Sequence, residues 1–130
     1  MSIGIKLEIK GLEELQKKLQ KEVMLKPFHE GIKKATLLLQ RETMMATVVD
    51  TGRLRASITP KLASDFGQVR TNVQYAQSVE YGTQTMEARH MEGGTKVLGK
   101  GMFAYALERL KDKMAGLLGD VANAIEAKWH

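Results

Sequence analysis

Ile3-Gly4-Ile5-Lys6-Leu7-Glu8-Ile9 is the stretch that decides the fold class. Ile3, Ile5, Leu7 and Ile9 occupy alternate positions and Lys6 and Glu8 fall between them, the period-two signature of a half-buried strand. Gly11 ends it. From Leu12 the period changes: Leu12, Leu15, Leu19 and Val23 recur with Glu and Lys between them, which predicts an amphipathic helix of about three turns. Pro27 then stands where a first helical turn tolerates it, and Phe28, Ile32, Ala35, Leu39, Thr43 and Ala46 trace the stripe of a second, longer helix. Leu37, Leu38, Met44 and Met45 lie outside that stripe, so this helix is expected to be touched from two sides.

Asp50-Thr51-Gly52 reads as a turn or cap, and Arg53-Leu54-Arg55-Ala56-Ser57 as either one helical turn or the start of a strand. Residues 57–63 and 68–73 alternate again, and Asp65-Phe66-Gly67 between them supplies hairpin turn chemistry. Tyr75, Ala76, Val79 and Glu80 have helical spacing, with Gly82 as the stop. Residues 83–101, with glycines at 93, 94, 99 and 101, are expected to form a mobile loop. Phe103, Leu107, Leu110, Met114, Leu117, Val121 and Ile125 recur at spacings of four and three and predict a long C-terminal helix. The layout is one α+β domain over residues 1–130, a small antiparallel sheet with a central hairpin packed against long helices.

A chain of 130 residues, 43% apolar and 27% charged, builds one core and not two. The absence of cysteine excludes disulfides, a thiol nucleophile, a zinc ribbon and an iron–sulfur cluster. Lys6, Glu8 and Lys10 interrupt any secretory apolar run, and no stretch reaches the roughly 18 apolar residues of a membrane helix, so no membrane partner is expected. The net charge of +5, from 20 basic and 15 acidic residues, is spread along the chain rather than gathered on one helix. Eight Met and 5% aromatic residues describe an adaptable core, the kind that completes its shape against neighbours.

Reactive constellations are weak. Gly94-Thr95-Lys96-Val97-Leu98-Gly99-Lys100 follows the phosphate-loop spacing, but Gly101 replaces the hydroxyl that would hold magnesium, and the residues before it are polar. His29, His90 and His130 lack the spacing of a helical metal site and read as exposed or partly packed. Ser57, His29 and Asp50 make a triad only on paper, without a nucleophile elbow. Glu80 and Glu87 have no more acid/base character than any other pair. The expectation is a protein that is not an enzyme, with no catalytic residue, no cofactor and no metal site.

A different pattern stands out. Asp50-Thr51-Gly52-Arg53-Leu54-Arg55-Ala56-Ser57-Ile58 is followed by Tyr75-Ala76-Gln77-Ser78-Val79-Glu80-Tyr81-Gly82-Thr83, then Met86-Glu87-Ala88-Arg89 and the last helix. The order D-T-G-x-L-R-x-S-I, Y-A-x-x-V-E-x-G-T, M-x-A-R resembles the neck or tail-component family of long-tailed bacteriophages, which is similar to the tail-completion protein called minor tail protein Z. The likeness covers roughly residues 27–128. The matching positions are Asp50, Thr51, Gly52, Leu54, Arg55, Ser57 and Ile58, then Tyr75, Ala76, Val79, Glu80, Gly82 and Thr83, then Met86, Ala88 and Arg89. Where the family continues A-R-P-F into the last helix, this chain has His90 and a glycine-rich insertion.

The resemblance implies a non-enzymatic virion protein at the head–tail junction, present in the host cytoplasm during assembly and acting in tail completion and joining. It would be a homo-oligomer, part of a ring that meets head-closure or connector proteins and the tail tube or its terminator, with genomic DNA passing through a channel. Arg53, Arg55, Glu80 and Arg89 are expected to hold the motif region or its interface through ion pairs. The alternative is a small basic DNA-binding accessory protein using Lys33, Lys34, Arg53, Arg55, Lys61 and Arg70. Arg53, Arg55, Lys61 and Arg70 are the candidates for facing DNA under either reading.

Overall fold

The structure is a computed structural model that describes residues 3–9, 22–48, 52–63, 66–117 and 125–129. The predicted helix over residues 12–23 therefore lies outside the described residues except for its end, as do Asp50, Thr51, Asp65, Val121 and His130. Strand β1 (Ile3–Ile9) is followed by helix α1 (Glu22–Ala46), the short helix α2 (Arg53–Ser57) and the strands β2 (Thr59–Leu62) and β3 (Phe66–Thr71). Helix α3 (Ala76–Tyr81), strands β4 (Arg89–Glu92) and β5 (Thr95–Leu98), helix α4 (Met102–Leu117) and strand β6 (Ile125–Trp129) complete the order. The mixed α+β class expected from the sequence is the one observed.

Four strands form an antiparallel sheet in the order β2-β3-β1-β6, with the alternating N-terminal segment at its centre. Ile3, Ile5 and Leu7 are buried, and their partners across the ladder, Thr71, Val69 and Gly67, are buried with them. Directly paired residues share a face, so this face is the core side and Lys6, Gln68, Arg70 and Lys61 stand on the other. Helices α1 and α4 pack on each other, and α1 also packs on the sheet.

Helix α1 begins at Glu22, so Pro27 lies inside it rather than opening a new helix. Proline forgoes one i→i−4 bond, and a helix of 25 residues with a well-buried face absorbs that loss. Ile32, Ala35, Leu39, Thr43 and Ala46 are buried as the stripe predicts. Thr36, Thr43 and Thr47 join this face because each hydroxyl donates to the carbonyl four residues back, at 2.7, 2.7 and 2.6 Å. Leu38 and Met44 pack on the core, whereas Leu37 and Met45 are exposed, so the expected second contact is only partly made by the described chain.

Between α1 and β3 the Thr36 side chain lies directly against the Gly67 backbone: a Cβ at Gly67 would overlap the Thr36 hydroxyl. A side chain there has nowhere to go. The predicted hairpin is present as β2 and β3, but Phe66 and Gly67 are strand residues rather than turn residues, and the Ala63 amide donates to the Phe66 carbonyl at 2.9 Å.

Phe103, Leu110 and Met114 of α4 are buried and Leu107 packs against the core, as the long stripe predicts. Ile125 departs from it. It opens β6, which pairs antiparallel with β1 through Ile5–Trp129 and Leu7–Ala127. The segment Ile125-Glu126-Ala127-Lys128-Trp129 carries the alternation of a strand, a period that counting in fours passes over. Residues 89–98, expected as irregular loop, are likewise a hairpin, turned by Gly93 and Gly94 at φ of 57° and 84°. Two successive positive φ values suit the primed turn that matches strand twist, and glycine adopts them without strain.

Gly67→Ala is expected to destabilise the fold by about 1–3 kcal/mol through overpacking against Thr36. Urea unfolding measures this; a midpoint equal to that of the wild type contradicts the close approach of α1 to β3.

Candidate functional site

The second motif builds one corner of the molecule. Helix α3 carries Ala76, Val79 and Glu80 inward, and Gly82 ends it with φ at 78°. A Cβ at Gly82 would crowd the Ala88 amide and the Met86 carbonyl, because the chain folds straight back on itself. The Thr83 amide donates to the Met86 carbonyl at 2.7 Å, and the Thr83 hydroxyl accepts from the Met86 amide at 3.1 Å. The Ala88 carbonyl receives the Gly99 amide at 2.8 Å, which ties the loop to the end of β5. Gly82, Thr83, Met86 and Ala88 are thus a folded turn. Arg89 reaches back to the Met86 sulfur at 3.8 Å.

Glu80 is buried and its carboxylate closes the N-terminus of α4. One oxygen accepts the Phe103 amide at 2.6 Å and the other the Ala104 amide at 3.2 Å. The first amides of a helix have no partner within it, and the helix dipole favours an anion there. A Cβ at Gly101 would overlap this carboxylate, so the residue before the helix has no side chain. The expected guanidinium partner of Glu80 is therefore replaced by backbone amides. Burial pushes the Glu80 pKa above its ordinary 4.5, against the two amides and the nearby His90, which pull it down.

The first motif anchors elsewhere. Leu54 and Ile58 enter the same hydrophobic core as Ala76 and Val79. Gly52 takes the left-handed region with φ at 79°, and α2 resolves the two local readings in favour of the helical turn. The Ser57 hydroxyl donates to the Leu54 carbonyl at 2.6 Å and accepts from the Thr71 hydroxyl at 2.5 Å, while Gln40 of α1 donates to the Ile58 carbonyl at 3.4 Å. Arg55 is half-buried, and its Nε has no hydrogen-bond partner among the described residues. Arg53, Lys61 and Arg70 are exposed, as are Lys33 and Lys34.

The phosphate-loop spacing acquires a different meaning. Residues 95–98 are extended and paired with β4, and the helix end that would hold a phosphate is filled by Glu80. His90, read from the sequence as exposed or partly packed, is only 3% exposed. It stacks on Tyr105 at 4.1 Å between ring centroids, and its Nδ1 lies 2.9 Å from the Lys100 carbonyl. Its burial had no local signal, since it depends on α4 passing beneath the hairpin. Glu42 was also missed: it is buried on α1, bonded to Lys113 and 3.7 Å from the Arg109 Nε, clamping α1 to α4. Among the described residues no group of three or more His, Cys, Asp or Glu is placed to hold a metal ion, and no helix is long and apolar enough to cross a membrane.

No family model matches this chain, and no curated protein or solved structure matches it.

A pH dependence follows from Glu80. Its folded pKa is raised, so its contribution to stability is fully present below about pH 4.5 and is lost as pH rises through the raised value. Glutamine cannot titrate. The stability of the wild type relative to Glu80→Gln is therefore expected to fall as pH climbs from about 4.5. Urea unfolding of both proteins across that range measures it, and parallel profiles contradict the assignment.

Proposed function

We propose that this chain is a non-enzymatic structural protein of a long-tailed bacteriophage, acting at the head–tail junction in tail completion and joining as part of an oligomeric ring. The ordered motif pair motivates the reading. The structural observation that carries it is an exposed aromatic pair beside the second motif: Tyr81, next to the Glu80 clamp, is 60% exposed, and Trp129 at the end of β6 is 44% exposed. Their rings lie 6.3 Å apart. Met86 in the same turn region is exposed as well. Apolar side chains displayed together beside a rigid corner suit a surface that a neighbour covers.

Partners under this reading are further copies of the chain, the head-closure or connector proteins, and the tail tube or its terminator. In a closed ring the contact is heterologous, so the aromatic pair of one copy meets a different surface of the next. Light scattering on the purified protein, with and without tail components, is expected to show a larger assembly in their presence. Tyr81→Ser is expected to reduce both that assembly and tail joining while leaving the circular dichroism spectrum unchanged. A protein that stays the same size with those components, or a Tyr81→Ser variant that joins tails normally, overturns the reading.

A second reading, a small basic DNA-binding accessory protein, draws support from the polar face of the sheet, where Lys61 and Arg70 are exposed opposite the helices. Lys6 stands on the same face, 4.3 Å above the Phe66 ring. This reading predicts duplex binding whose log–log salt slope is on the order of one per phosphate contact, reduced in Lys61→Ala and Arg70→Ala. Binding indifferent to salt disposes of it.

A further inference from the structure

The four-stranded sheet has two edge strands, β2 and β6, with no strand beyond either among the described residues. Which backbone groups these edges present follows from one hydrogen bond. The Ala63 amide donates to the Phe66 carbonyl at 2.9 Å, so residues 63 and 66 form a hydrogen-bonded pair, and such pairs alternate along an antiparallel ladder. By that alternation Thr59 and Lys61 turn their amides and carbonyls toward β3, while Pro60 and Leu62 turn theirs to the open edge. Proline is tolerated in a strand at such a position, where its missing amide breaks no ladder bond. Carried across β3 and β1 by their continuous registers, the alternation turns the backbone of Glu126 and Lys128 toward β1. The amides and carbonyls of Ile125, Ala127 and Trp129 then point to the other open edge.

These two edges match each other. Strand direction alternates through the whole sheet, so β2 of a second copy laid against β6 continues it as another antiparallel pair. The faces agree as well. Pro60 and Leu62 pair with the buried Val69 and Gly67, and Ala127 and Trp129 with the buried Leu7 and Ile5, so all four stand on the core side of the sheet. Leu62 is 42% exposed and Trp129 44%, so each edge displays an apolar side chain that its own copy leaves uncovered. Charge in the sequence selects the register. Lys61 falls opposite Glu126 when Leu62 meets Ile125 and Pro60 meets Ala127, and opposite Lys128 when the strands slip by two.

We infer that copies of this chain associate head to tail by strand pairing, β6 of one against β2 of the next, with Lys61 opposite Glu126. Residues 62 and 125 exchange two hydrogen bonds, and the Ala127 amide donates a third to the Pro60 carbonyl. Pairing unlike edges fills both edges of every copy, whereas pairing like edges leaves one of them open. The contact is heterologous and repeats, which is the condition for a closed ring. It deepens the ring reading by naming the contact between copies, and it rests on that reading for closure.

The chain has no cysteine, so a reporter pair introduced into it has no competitor. Positions 61 and 126 of adjoining copies form a non-hydrogen-bonded pair, whose close Cβ atoms suit a disulfide. Under mild oxidation of the concentrated full-length protein, Lys61→Cys/Glu126→Cys is expected to give a ladder of covalent trimers and larger species. Either single variant stops at a low yield of dimer. Ala127→Pro, added to the double variant, removes an amide that points to the open edge and is expected to cut the multimer yield about tenfold with an unchanged circular dichroism spectrum. Leu62→Lys, at an exposed position of β2, is expected to give the same loss from the other edge, which covers the case in which proline disturbs β6. A double variant without a ladder, as when a strand of another protein is the occupant, overturns the inference. So does a single variant that cross-links as well as the double one, the mark of like edges pairing, or a ladder indifferent to both edge substitutions. The ladder is read on the isolated chain, so a ladder together with normal tail joining by Tyr81→Ser keeps the contact and discards the place at the neck.

Discussion

A single buried carboxylate holds the two halves of the fold in register. Glu80 sits at the end of α3, and both of its oxygens are taken by the first amides of α4. The chain from residue 81 to 101 leaves and returns at this point, so everything between is a closed excursion whose ends one side chain clamps together. The contact satisfies helix amides that would otherwise be buried without partners, and it places a negative charge at the positive end of the helix dipole. Its cost is desolvation, visible in the raised pKa of the group. The absence of a side chain at Gly101 and the left-handed turn at Gly82 are the local conditions that let the carboxylate reach.

The core is organised by the same economy of polar groups. Helix α1 buries three threonines without leaving a hydroxyl unpaired, because each turns back onto its own helix. This lets the helix approach the sheet closely enough that Gly67 has no room for a side chain. On its other side Glu42 meets Lys113 and Arg109 of α4, joining the two long helices through a carboxylate that is itself buried. The sheet is then left with one apolar face and one polar face, and among the described residues only the first is covered by helices.

These arrangements bear on function in different ways. The motif residues Leu54, Ile58, Ala76, Val79 and Glu80 serve the interior, so the motifs describe a scaffold more than a contact surface. Groups free to meet a partner lie beside them: Tyr81, Met86 and Trp129 at the corner, Lys61 and Arg70 on the polar face of the sheet. The β4–β5 hairpin adds something separate, a cleft between its strands and α4.

What the sequence determined by itself was the local geometry: the alternation of β1, the stripe of α1, the first turns of α4, the β2–β3 hairpin and the glycine stop after α3. These patterns repeat within one or two turns of chain, so near neighbours suffice to set them. Pro27 and Ile125 show the limit of that logic, since a long helix carried through one and a strand partner claimed the other. Only the tertiary structure decided that Glu80 takes helix amides rather than an arginine, that His90 is buried, and that residues 125–129 close against β1. Each of these depends on segments distant in sequence meeting across the core, and partners of that kind leave no period for a local reading to find.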